Sequence, residues 1–311
     1  MSVLDKTRRN ALKCLAFGGA GTVFALSGGV LANFDLAEAA TRKHATGGLK
    51  PLFVQISDSH IGFNKDANPD VNGTLARTVA VINGMQEQPA FIVHTGDITH
   101  LSKPEEFDTA AQLLSALNVG ELHTVPGEHD VIDATGNGYM TRYGAPSGGK
   151  GYYSFDSGGV HFVALVNVLN FKAGGLGTLG ADQLAWLQDD LRGKSSSTPI
   201  VVFAHMPLWS IYPKWGWGTS DADQAMSYLR RFGSVSVLNG HIHQIVQKVE
   251  GNIAFHTARS TGYPQPVAGT ADGPGPLKVP ADQLAMMIGL TSISLVRHNR
   301  TIALNDQALA R

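Results

Sequence analysis

Five short clusters of carboxylate and imidazole residues, spread from residue 58 to residue 243, constrain this chain more than any other feature. They are Asp58-Ser59-His60, Gly96-Asp97, Gly127-Glu128-His129-Asp130, His205 and Gly240-His241-Ile242-His243. Each follows a run rich in apolar and β-branched residues: Leu52–Ile56, Phe91–Val93, His123–Val125, Ile200–Ala204 and Ser234–Leu238. Such runs read as strands. A parallel or mixed sheet gathers its strand ends on one edge, so clusters distant in sequence meet there. Asp, Glu and His without cysteine suit divalent ions such as Zn, Mn or Fe. Asp58, His60, Asp97, Glu128, His205, His241 and His243 are too many ligands for one tetrahedral ion. The set fits two ions that share a bridging carboxylate.

The remaining sequence sets limits on that reading. A chain of 311 residues holds one large α/β domain or two small ones. The net charge is −1 and no Lys/Arg stripe is present, which argues against a nucleic-acid polymer as partner. Residues 1–39 are expected to lie outside the fold. Thr7-Arg8-Arg9-Asn10-Ala11-Leu12-Lys13 resembles a twin-arginine export signal, with Ala11 where that signal usually has Phe. A Gly/Ala/Leu-rich stretch follows, and Ala37-Glu38-Ala39 has the small-x-small form of a cleavage site. The expectation is export by the twin-arginine translocase to the periplasm, or outside the cell. The glycines in the stretch and the cleavage site weigh against a stable membrane anchor. The sole cysteine, Cys14, falls in the leader, so residues 40–311 carry no disulfide and no thiol chemistry.

Between the motifs, Thr74–Gln88 reads as a helix with Leu75, Val79, Ile82 and Met85 on one face. Ser102-Lys103-Pro104-Glu105 reads as a capping box opening a helix that buries Phe107, Ala111, Leu114 and Leu117. Gly151–Asp156 and Val160–Val166 form a predicted hairpin turned at Ser157-Gly158-Gly159. Ala181–Arg192 and Ser220–Arg231 are predicted helices, and Val246–Glu250 with Asn252–His256 a second hairpin. The pattern predicts one domain over 40–311: two packed mixed sheets with helices outside, and an irregular tail over 262–311 rich in Pro and Gly.

The ordered motifs resemble the metallophosphoesterase superfamily, the calcineurin-like phosphoesterases, whose pattern runs D-x-H, G-D, G-N-H-D/E, H, G-H-x-H. The resemblance spans Leu52 to about Thr257. It implies a four-layer α/β/β/α sandwich and two divalent or mixed-valence metal ions, Mn, Fe or Zn. Carried over by position, one ion is held by Asp58, His60, Asp97 and His243. The other is held by Asp97, Glu128, His205 and His241, with Asp97 bridging. The implied reaction is attack on a small phosphoester by a hydroxide shared between the ions, with His129 beside the leaving oxygen. Asp130 is implied as a residue that orients an imidazole. Glu128 departs from the pattern, since the family has Asn there. It either ligates, adding a negative charge, or swings aside.

Gly96-Asp97-Ile98-Thr99-His100 lacks the Arg-Gly of the serine/threonine protein phosphatases and the Tyr ligand of the purple acid phosphatases. With Pro104-Glu105-Glu106-Phe107 it looks most like bacterial cyclic-nucleotide and glycerophosphodiester phosphodiesterases. A non-catalytic exported metal-binding protein on the same scaffold is the alternative. His94 and His100 flank the Gly-Asp motif and read as packed or loop residues more readily than as substrate contacts. His123, His161 and His256 read as structural, and Asn239 as a turn residue. Trp209, Tyr212, Trp215 and Trp217 lie in a Pro/Gly-rich loop that forms either a pocket wall or a separate apolar cluster. Asn167 and Asn170 are weaker candidates for the pocket.

Overall fold

The structure is a computed structural model and describes residues 23–27, 30–34, 51–132, 136–169, 174–296 and 301–310. Three parallel strands carry the first motifs: β3 (Pro51–Ile56), β4 (Phe91–His94) and β5 (Leu122–Thr124). Their sheet continues past β3 through β12 (Gly289–Val296) and β13 (Thr301–Ala308), each antiparallel to its neighbour. A second sheet holds β6 (Tyr153–Ser157), β7 (Val160–Ala164), β8 (Ile200–Phe203), β9 (Val235–Asn239), β10 (Gln247–Glu250) and β11 (Ile253–Thr257). Its order is β10-β11-β9-β8-β7-β6, with β7, β8, β9 and β11 parallel. Both predicted hairpins are present as β6–β7 and β10–β11.

The sheets pack face to face over an aromatic interior. Phe53 stacks on Phe91 at 5.1 Å, and Phe162 of the opposite sheet meets Phe53 edge-on at 5.4 Å. Outside the first sheet lie α1 (Val71–Asn83) and α2 (Pro104–Leu114), whose Leu75, Ile82 and Phe107 cover Val54, Ile56 and Ile92. The short α3 (Asn137–Tyr143) packs on the same side through Tyr139. Outside the second sheet, α4 (Ala181–Arg192) and α5 (Ala222–Leu229) cover Val163, Val202 and Val237. This is the four-layer α/β/β/α sandwich. The inner strands are covered on both faces, which is why they read as continuous apolar runs rather than alternating ones. Burial of each such side chain contributes about 1.5–3 kcal/mol.

Several local expectations need correction. The tail over 262–311 is not irregular throughout. Its Pro/Gly-rich first part leads to α6 (Ala281–Met287), and then β12 and β13 occupy the middle of the first sheet. Leu290, Ile293, Ile302 and Leu304 are buried there, on β-branched and alternating sequence that the Pro/Gly content upstream obscures. Ser102 does not cap α2. The N-cap is Lys103, and Glu106 accepts the Leu101 N–H at 2.7 Å and the Lys103 N–H at 3.4 Å. The proline at the first helical position shifts the cap by one residue. Ala110, not Ala111, faces the core as a result. In the uncleaved chain, β1 (Val23–Ser27) and β2 (Val30–Phe34) of the expected leader pair on the outer edge of β13, an arrangement that cleavage after Ala39 would remove. An edge strand's unpaired N–H and C=O groups accept an apolar segment of this kind. No helix among the described residues is long and apolar enough to cross a membrane.

Candidate metal centre

The five motifs meet at one edge of the two sheets, as their strand-end positions require. Gln55 ties the sheets together there, donating to the Thr95 hydroxyl at 3.0 Å and to the Asn239 carbonyl across the interface at 3.2 Å. Beyond each strand the chain turns sharply. Asp58, His60, Asp97, His241 and His243 all have positive φ, between 46° and 70°. Left-handed backbone is uncommon outside glycine, and such strain collects at functional sites. Here it turns alternating side chains of one loop toward a common point.

Two nests of donor atoms result. In the first, His60 Nε2 lies 3.2 Å from His243 Nε2 and 3.4 Å from Asp97 Oδ2, and His243 Nε2 lies 3.3 Å from Asp58 Oδ1. In the second, Glu128 places Oε2 2.8 Å from His205 Nε2 and Oε1 2.9 Å from His241 Nδ1. Asp97 Oδ2 belongs to both, since it also lies 3.5 Å from His205 Nε2. Donors around one ion at about 2.1 Å stand roughly 3.0–3.4 Å from each other, and the separations of 2.8–3.5 Å here are close to that. The Glu128 carboxylate is turned into the second nest.

Hydrogen bonding and charge fit a cation in each nest. His205 Nε2, both ring nitrogens of His241 and Glu128 Oε2 are buried without a hydrogen-bond partner among the described residues. They crowd together yet do not align as donor and acceptor, as expected of lone pairs aimed at a shared centre. His205 Nδ1–H donates to the Thr95 carbonyl at 2.7 Å and His243 Nδ1–H to the Tyr263 carbonyl at 2.5 Å. Those bonds leave each Nε2 free to ligate. Burial works against the charge of Glu128, but His241 and His205 outweigh it and hold its pKa well below the ordinary range. Burial likewise opposes charge on His205, and Asp97 and Glu128 overcome it and raise its pKa. Buried Asp58 and Asp97 and the partly buried Glu128 gather negative charge here that needs positive charge, which divalent ions would supply.

His129 and Asp130 occupy a short 3-10 turn over Glu128–Asp130. The His129 N–H donates to Asp97 Oδ1 at 2.9 Å, and its Nδ1–H donates to the His100 carbonyl at 2.7 Å. Burial disfavours a charge on this ring, but Asp97 and Glu128 raise its pKa above the usual histidine value. Among the described residues, Asp130 bonds backbone N–H groups and a hydroxyl rather than an imidazole. Its carboxylate accepts the N–H groups of Ile98, Thr99 and Gly127 at 2.8–3.0 Å and the Thr99 hydroxyl at 2.9 Å. One residue thus locks two ligand loops together. Burial and the Asp97 charge push its pKa up to about 6.

A cavity of about 420 Å³ opens over Glu128, His129 and His241. Phe63, Trp215, Trp217 and Tyr263 give it aromatic walls, so part of the Trp-rich loop is a pocket wall, whereas Trp209 packs away from it on Phe255. His100 also lines it, and burial followed by the charge of His129 pushes the His100 pKa down to about 4. Tyr263, absent from the sequence reading, stacks on His60 at 4.8 Å. His94 is structural: it is buried with Nε2 2.8 Å from the Ser59 hydroxyl. Asn239 and Asn167 spend their amides on backbone carbonyls around the β8 loop, and Asn170 lies outside the described residues. His161 bridges Asp156 and Asp190, His256 bonds Asp306, and His123 stacks on Phe155, all away from the nests.

The sequence model of the calcineurin-like phosphoesterases matches residues 51–245, more than half of the chain. The chain belongs to that family. It is 27% identical over 233 residues to the glycerophosphodiester phosphodiesterase GpdQ of Enterobacter lignolyticus, covering 69% of this chain and 79% of that one. It is 30% identical over 213 residues to a protein of Synechococcus named a probable cyclic nucleotide phosphodiesterase, covering 62% and 75%. Among solved structures, a dimetal phosphatase from Danio rerio superposes with a TM-score of 0.60 at 16% identity, over 78% of this phosphoesterase and 93% of that chain. This last likeness concerns the fold alone. The phosphoesterase is a hydrolase of phosphoric esters, with its candidate ligands gathered as described.

Proposed function

We propose that this phosphoesterase hydrolyses small phosphodiesters or nucleotides with two divalent ions, Mn, Fe or Zn. Asp58, His60, Asp97 and His243 would hold one ion, and Asp97, Glu128, His205 and His241 the other. The observation that carries the reading is the single oxygen Asp97 Oδ2, which faces His60 at 3.4 Å and His205 at 3.5 Å. Two ions so placed would supply an activated water and stabilise charge on the phosphoryl oxygens. The chain's own part is to bind, orient and protonate. With Nδ1–H committed to the His100 carbonyl, His129 has Nε2 left to give a proton to the departing oxygen.

The cavity favours a diester. Lys65 is the one Lys or Arg among the described lining residues, and the walls are largely apolar. A monoanionic phosphate with two organic arms suits that lining better than a dianionic monoester. The activities named for the two bacterial relatives, both on diesters, support the same preference.

Export to the periplasm by the twin-arginine translocase belongs to the same reading. It is supported by Thr7–Lys13 and by Ala37-Glu38-Ala39. The test of function is turnover of bis-p-nitrophenyl phosphate, p-nitrophenyl phosphate and 2′,3′-cyclic nucleotides, before and after metal is supplied. Diester turnover dependent on metal is expected. Metal uptake without turnover of any ester would identify a non-catalytic metal-binding protein instead.

A further inference from the structure

We infer that His100 is a positioning residue of the metal centre, whose imidazole accepts the Nδ1–H of His60 and so aims His60 Nε2 into the first nest. The inference rests on the reading of His60 as a metal ligand. A ligating imidazole uses one nitrogen for the ion and carries its proton on the other, and the acceptor of that N–H sets the ring's orientation. His205 and His243 find backbone carbonyls for this purpose. His60 does not. Its Nδ1 faces His100 Nδ1 at 3.3 Å, while its Nε2 faces Asp97 and His243. With the proton on His60 Nδ1, His100 Nδ1 must offer a lone pair, and the His100 proton sits on Nε2.

The His100 ring is itself held on two sides. It stacks on His129 with centroids 4.9 Å apart and planes 14° from parallel, and it meets Phe63 edge-on at 5.2 Å. Its backbone is anchored by its N–H to the Ile61 carbonyl at 2.9 Å, and its own carbonyl accepts from His129. The two roles separate cleanly. The backbone carbonyl that accepts from His129 survives a side-chain substitution, whereas the acceptor for the His60 Nδ1–H is lost with the ring.

The experiment is calorimetric titration of the metal-free full chain with Mn²⁺ alone. In His100→Leu, one of the two binding steps should weaken about 10–100-fold, the usual effect of losing a partner of a metal-ligating histidine. The other step should stay at the parent's affinity. His100→Asn, whose amide oxygen can accept in place of Nδ1, should recover most of the loss. If His100→Leu fails to fold, as judged by circular dichroism, the comparison of His100→Asn with His100→Ala carries the same test. Parent-like affinity at both steps in the variants lacking an acceptor overturns the inference. So does an Asn variant as weak as the Leu or Ala one, because the ring would then act by packing alone. A parent chain that takes up no Mn²⁺ overturns the metal reading as well, which separates the two failures.

Discussion

Asp97 divides its two oxygens between two tasks. Oδ1 accepts the His129 N–H, while Oδ2 looks into both nests. Glu128 shows how one residue can shift the balance of such a centre. Its carboxylate adds a full negative charge between His205 and His241, where a neutral amide would offer only a carbonyl oxygen. Glu128→Asn should therefore keep the fold and bind the second ion more weakly, on the order of tenfold or about 1.4 kcal/mol. Once saturated with Mn²⁺ it should bind an anionic diester at least as well as the parent, since repulsion falls. Unchanged affinity for the second ion in this variant would remove Glu128 from the ligand set. The convergence of the candidate ligand histidines and carboxylates was legible because each follows a recognisable strand. Tyr263 and the ring of His100 were not. Tyr263 arrives from a loop that carries no strand signal of its own, and the contact of His100 with His60 depends on how two turns fold back on each other.

At the scale of elements, each motif works as a strand end plus a tight turn, and glycine makes the turns fit. A side-chain carbon at Gly96 would stand 2.6 Å from both the Gly127 nitrogen and His205 Nδ1, on a backbone with φ of +95°. Gly96→Ala should thus cost at least about 2 kcal/mol, from strain at that φ and from overpacking. It should also displace His205 and weaken the second ion. Urea unfolding of the metal-free protein measures the first effect and Mn²⁺ titration the second. Stability and metal affinity equal to the parent's would contradict this account of the loop. Strands and helices whose apolar residues keep one period were readable directly, as Ala181–Arg192 illustrates. β12 and β13 escaped because the Pro- and Gly-rich stretch before them suggested that order had ended. The pairing of β12 with β3 is a long-range contact that local periodicity does not announce.

For the whole molecule, that late hairpin ties the order of events together. β3 delivers Asp58 and His60, and it is flanked by β12, which lies more than 230 residues further along the chain. The first nest can be buttressed only after nearly all the chain has been made. The proposed twin-arginine route, which moves folded cargo, would suit such a protein, because metal could be acquired before export. Replacing Arg8-Arg9 with Lys-Lys should leave a folded, metal-loaded precursor in the cytoplasm, detected by fractionation and metal analysis. Normal export and processing after Ala39 would count against the twin-arginine reading. Two ions held across Asp97 are proposed to make this phosphoesterase a diester hydrolase. The most direct test of that proposal follows bis-p-nitrophenyl phosphate turnover while metal-free protein is titrated with Mn²⁺, with Asp97→Ala alongside. The account predicts no turnover in chelator, a rise that saturates near two ions per chain, about the number such sites use, and an inert Asp97→Ala. Full turnover in chelator, or an Asp97→Ala variant as active as the parent, would contradict it.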